Sequence, residues 1–143
     1  MSAYIDTSAL AKCYIREARS FDVLGWAAEQ SAPVTAALTL VEFRCLLARR
    51  RRNGEISPKL EHDALARFDE HVRSGAWFIP HDPRSDYAVA RGLIDAFPSL
   101  PLRALDALHL AAARSAGTSD FATADKTQAS AAEALGFTVH RFY

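Results

Sequence analysis

"AYIDTSALAK", residues 3–12, holds the stretch whose reading decides the fold. Ala3, Tyr4 and Ile5 read as the end of a buried strand, and Ser8 to Lys12 read as a helix start. Asp6 stands at the joint between them with apolar residues on both sides. An acid in this place caps the orphan amides of the helix, or it faces the crevice where open α/β sheets take their ligands.

Working outward, the chain punctuates itself clearly. Ser20 can cap "FDVLGWAAEQ" (21–30), and Pro33 to Leu38 make a second short apolar strand. Thr39 opens the helix "LVEFRCLLARRRRN" (40–53), which Gly54 closes. Ser57 and Pro58 are the N-cap and first residue of a long helix that ends at Gly75. "AWFIP" (76–80) is a third strand, Asp82 and Pro83 start a helix running to about Phe97, and "SLPL" (99–102) is a loop. "RALDALHLAAARSAG" (103–117) is a helix, "DFAT" (120–123) a fourth strand, "KTQASAAEALG" (126–136) a helix and "FTVHRF" (137–142) a terminal strand. Strands alternating with helices predict an α/β fold. The expected form is a three-layer α/β/α sandwich with a short, mainly parallel central sheet and right-handed crossovers, built from one domain over residues 1–143.

Composition sets the outer bounds. The chain has 143 residues, half of them hydrophobic, with Lys+Arg and Asp+Glu balanced at 17 each. That is a globular composition, and the length is enough to bury about 70% of the unfolded surface. No apolar run approaches the roughly 20 residues of a membrane span, and no basic and apolar leader opens the sequence. A cytoplasmic protein is expected. Cys13 and Cys45 lie in helix-like segments without metal-ligand spacing, and both read as reduced core residues.

The acids can now be placed. Asp6 follows the first strand, Glu42 lies in the first turn of the helix after the second, Asp106 opens "ALDALHLAAA", and Asp125 follows the fourth strand. In a parallel sheet the carboxyl ends of the strands share one edge, so these four carboxylates are expected at one mouth. Each also has an ordinary use as a helix cap, and Thr39-Leu-Val-Glu42 is a capping box as written. No basic residue close in sequence is expected to neutralise Asp6, Glu42 or Asp106. Carboxylates crowded together need a cation, and a hard divalent ion, Mg²⁺ or Mn²⁺, suits an all-oxygen set.

His109 lies three residues after Asp106, on the same helical face, and reads as structural or as a neighbour of the site. His62, His71, His81 and His140 have no zinc spacing. Arg44 and Arg49, Arg50, Arg51 and Arg52 crowd one helix, either as a solvated helix end or as a surface for phosphate contact. In "FDVLGWAAEQ", Phe21, Leu24 and Ala28 share a face that would dock on the sheet. Val23, Trp26 and Ala27 then lie round the helix, toward a partner.

"YIDTSALAK", "TLVEFRCLLAR", "LRALDALHLAAA" and "FATADKTQASAAEALGF" resemble, in order, the four signature blocks of PIN-domain ribonucleases, and within them the VapC-type toxins of toxin–antitoxin pairs. The resemblance implies that Asp6, Glu42, Asp106 and Asp125 bind the metal and catalyse RNA hydrolysis, with Ser8, Thr123 and His109 as polar neighbours. It also implies frequent homodimers and a cognate antitoxin protein as partner. Two other classes place an aspartate after the first strand. A haloacid-dehalogenase-like phosphatase wants a second acid where Ser8 stands, and a receiver-type signalling domain wants paired acids where Asp6 stands alone. A PIN-like RNA-processing nuclease without a toxin role shares every motif with the toxin reading.

Overall fold

The structure is a computed structural model and describes residues 2–80 and 84–143. Three parallel strands, β1 (Ala3–Ile5), β2 (Asp120–Thr123) and β3 (Thr138–Arg141), lie side by side in that order. Tyr4 is opposite Phe121, which is opposite Val139, and Ile5 is opposite Ala122 and then His140. Around them run α1 (Thr7–Leu10), α2 (Ser20–Glu29), α3 (Leu38–Arg52), α4 (Pro58–Ser74), α5 (Arg84–Ala96), α6 (Ala104–Ser115) and α7 (Lys126–Ala134).

The alternation of strand side chains sorts the helices into two layers. Ala3, Ile5 and Ala122 pack with α1 to α4, through Leu10, Val23, Trp26, Phe43 and Phe68. Tyr4 and Phe121 point the other way and pack with α5, α6 and α7, through Leu93, Leu110 and Ala132. The expected α/β/α sandwich is therefore present. Its first layer is tied by Tyr14, Phe43 and Phe68, with ring centroids 4.8 to 5.8 Å apart.

The two middle strands expected from sequence shrink to one bridging residue each. Val34 pairs with Tyr4 on one side and Phe78 on the other, which extends the sheet beyond β1. Pro33 has no amide to give to a ladder. On the other side of Val34 the Thr35 hydroxyl, not a strand amide, donates to the Ile5 carbonyl at 2.9 Å. Ser57 and Pro58 start α4 as expected, and Gly75 ends it with φ +82°, a left-handed turn that favours glycine. Asp82, Pro83 and His81 lie outside the described residues.

Three local readings are corrected. Ser20 is not a cap: Arg19 holds that place with φ 69°, and the Ser20 hydroxyl bonds Glu17 and Ile15 in the preceding turn. Thr39 is not a cap either, because α3 begins one residue before it and Thr39 is buried on the Thr35 hydroxyl, 2.9 Å away. Glu42 thus falls in the second turn, with no capping role. Cys45 is exposed rather than in the core, while Cys13 is half-buried and its thiol is pushed up to about 12 by burial. One equivalent of iodoacetamide at neutral pH is expected to modify the native protein at Cys45, and Cys13 is expected to react only after denaturation. Mass spectrometry of the alkylated peptides checks this, and equal labelling of the two would show the placement to be wrong.

Candidate active site

Asp6 leaves β1 and caps α1. Its Oδ1 accepts from the Ala9 amide at 3.1 Å and from the Ser8 hydroxyl at 2.6 Å, and its Oδ2 accepts from the Thr123 hydroxyl at the end of β2. The side chain is nearly enclosed, and that burial pushes its carboxyl up against the opposing pull of His109 and these donors. A buried acid is tolerable here because each oxygen is met by a hydroxyl or amide.

Glu42 projects from α3. Its Oε1 accepts from the Thr7 hydroxyl at 2.7 Å and from His109 Nε2 at 2.6 Å. Burial pushes Glu42 up, but the hydrogen bonds from His109 and the Thr7 hydroxyl outweigh it and hold the carboxyl below its usual range. On its far side, His109 Nδ1 lies 2.6 Å from the hydroxyl of Tyr4, a phenol driven well above its ordinary range by burial first and then by Asp6 and Glu42.

Asp106 sits in the first turn of α6, where its Oδ2 accepts from the Arg103 amide at 3.4 Å and from Arg103 Nε at 3.1 Å. Asp125 caps α7 through the Gln128 amide at 3.0 Å and lies 3.8 Å from the Arg103 guanidinium. Arg103 corrects the reading that no nearby base neutralises Asp106: three residues upstream, it spans two of the four acids. Gln128, also in the cleft, donates to the Asp106 carbonyl at 3.1 Å. Its Oε1 has no hydrogen-bond partner among the described residues.

Asp6, Glu42, Asp106, Asp125, Ser8 and His109 therefore come together in one cleft of about 440 Å³. Thr123 reaches it through Asp6. Among the described residues no three acidic, histidine or cysteine side chains converge into a ready-made ion cage. The carboxylates are instead parted, each held by the donors just named. A second groove of about 720 Å³ adjoins the cleft and shares Thr7, Ser8, Glu42 and the exposed Leu105 with it, with exposed Val41 and Tyr87 along its wall.

The arginine cluster divides in two. Arg44 and Arg51 pair with Glu61, and Arg50 pairs with Glu17 and Glu55. Arg49 and Arg52 are exposed and carry no ion pair among the described residues, and Arg49 borders the second groove. Sequence reasoning passed over Arg103, Thr7, Tyr4 and Gln128. Only Arg103 left a signal, its spacing of three from Asp106.

Comparison with known families fits this geometry. The model of the PIN domain family matches residues 3–134, so the chain belongs to the PIN domain family. Among solved structures it is similar to VapC20 of Mycobacterium tuberculosis, a sarcin-ricin loop cleaving toxin. Identity is 22% and TM-score 0.72, covering 95% of this chain and 96% of that one. It is also similar to PAE2754 of Pyrobaculum aerophilum, at 16% identity and TM-score 0.67, covering 97% of this chain and 89% of that one. FitAcB of Neisseria gonorrhoeae matches at 19% identity and TM-score 0.64, covering 99% and 96%. No curated protein matches. At these identities the structural likeness is one of fold.

Proposed function

We propose that the chain is a metal-dependent endoribonuclease and the toxin of a type II toxin–antitoxin pair, acting in the cytoplasm. The observation that carries this is the meeting of Asp6, Glu42, Asp106 and Asp125 in one cleft, in a chain of the PIN family. The sarcin-ricin loop cleavage named for VapC20, with the same fold over 95% of this chain, supports RNA as the substrate.

The residues fit a hard divalent ion by their chemistry. The donors are all carboxylates, and they line one cleft. Asp6 and Asp106 would be the principal ligands, with Glu42 and Asp125 completing the set. When bound, Mg²⁺ or Mn²⁺ supplies charge cancellation at phosphorus and an activated water. The chain's own part is to hold the acids apart until then: Ser8 and Thr123 fix Asp6, and Thr7 fixes Glu42. Arg103 keeps Asp106 and Asp125 facing one another, as a cation that must yield when another arrives.

The apolar groove beside the cleft and the exposed Phe21 and Leu24 of α2 support protein partners, a cognate antitoxin and a second copy of the chain. Arg49 and Arg52 are the arginines free to meet RNA phosphates. Neutralising those two is expected to lower the salt slope of RNA binding by about one to two units of log K per log[salt], whereas Arg44, Arg50 and Arg51, held by glutamates, contribute less. Titrations at several salt concentrations decide, and an unchanged slope returns the pair to a solvated helix end.

The reading is tested against the phosphatase alternative by offering the protein a labelled single-stranded RNA and p-nitrophenyl phosphate with Mg²⁺ or Mn²⁺. RNA fragments without released phosphate are expected. Phosphate release without RNA cleavage would overturn it.

A further inference from the structure

A buried hydrogen-bonded line runs from the middle of the sheet to the cleft, and only its last member reaches the proposed chemistry. Tyr4 lies fully enclosed in β1, its ring stacked on Phe121 at 5.1 Å. Its hydroxyl is 2.6 Å from His109 Nδ1, and His109 Nε2 is 2.6 Å from Glu42 Oε1. His109 is 5% exposed, so its ring is largely withdrawn from solvent.

The protons on this line can be assigned. The Tyr4 hydroxyl has His109 Nδ1 at 2.6 Å and a single proton to give, which can point at that nitrogen. Nδ1 is then the acceptor, and a ring proton on Nε2 is aimed at Glu42. The Thr7 hydroxyl adds a second donor to the same oxygen at 2.7 Å. Glu42 Oε2 has no hydrogen-bond partner among the described residues and remains for the cleft.

We propose that Tyr4 and His109 form a positioning pair: Tyr4 selects the Nε2–H tautomer of His109, and that proton fixes the Glu42 carboxylate with one oxygen presented to the cleft. Removing the phenol hydroxyl frees the ring to move its proton to Nδ1, which would turn a bare nitrogen lone pair toward a carboxylate. The pair thus controls an acid that Tyr4 never touches, as outer hydrogen bonds do at many metal sites. The inference rests on the reading of Glu42 as a site acid.

The test begins with the unaltered protein. Long-range proton–nitrogen NMR is expected to show His109 protonated at Nε2, and a proton on Nδ1 alone overturns the proposal. Calorimetric titration with Mn²⁺ then compares variants whose fold is checked by circular dichroism. Tyr4→Phe and His109→Leu are each expected to weaken Mn²⁺ binding about 10-fold or more, and to lower kcat for RNA cleavage with KM little changed. His109→Gln places an amide nitrogen as many bonds from the backbone as Nε2, and is expected to retain most of the affinity. Tyr4→Phe is expected to add almost nothing in that background, because its effect passes through the imidazole. Tyr4→Phe binding Mn²⁺ as tightly as wild type, while Glu42→Gln loses it, overturns the pair and leaves the site reading standing. If Glu42→Gln itself keeps both binding and cleavage, the site reading fails.

Discussion

Asp6→Asn is expected to reduce RNA cleavage by at least about three powers of ten, about 4 kcal/mol of transition-state stabilisation, while the protein stays folded. The two halves of this result have separate causes. Activity falls because an amide presents one oxygen and no charge to a divalent ion. Folding survives because Asn caps a helix nearly as well as Asp and still accepts from the Ala9 amide and the Ser8 hydroxyl. Burial raises the Asp6 carboxyl in the folded state, so its ionisation opposes folding once the pH passes the unfolded value. Without metal the amide removes that penalty, although the Thr123 hydroxyl loses its acceptor. The net change in stability is expected within about 1 kcal/mol. Far-UV circular dichroism and urea unfolding of the variant measure it. A variant that unfolds would make Asp6 a structural cap first.

The largest expected loss of stability is at Trp26. The ring is buried against Phe142 at 6.1 Å and His140 at 5.6 Å, so Trp26→Ala should cost about 3–5 kcal/mol, and Trp26→Glu more. Leu24→Glu, two residues away on the exposed side, should change stability by no more than about 0.5 kcal/mol. Urea unfolding compares them, and equal losses would contradict the packing of α2. Light scattering of wild type and Leu24→Glu is then the informative assay for a homodimer, because a change at Trp26 would report the core.

This helix also shows where the sequence stops being legible. Phe21, Leu24 and Ala28 were expected on the sheet, and the structure exposes all three while burying Val23 and Trp26. Both sets have helical spacing, and periodicity alone does not say which of two apolar arcs meets the core. The terminal strand decides it: Phe142 and His140 offer rings that Trp26 can fill, and that contact spans more than a hundred residues of sequence. By contrast, α4 was readable to the residue, because Ser57, Pro58 and Gly75 act through their immediate neighbours.

The site divides along the same line. Asp6 and Asp125 announce themselves by standing between a strand and a helix, and both do cap helices there. Glu42 looked like a cap by its spacing from Thr39, yet its carboxylate turns to Thr7 and His109, from two other elements. Tyr4 looked like a core aromatic and is one. Its hydroxyl meets His109 only because β1 and α6 pack face to face, which no local pattern reveals.

The most direct measurement is cleavage of a labelled RNA by the purified protein after exhaustive chelation, followed by stepwise return of Mg²⁺ or Mn²⁺. The account predicts that cleavage stops in the chelator and returns with either ion in wild type, and does not return in Asp6→Asn at the same concentrations. Undiminished cleavage in the chelator, or full recovery by Asp6→Asn, would contradict it.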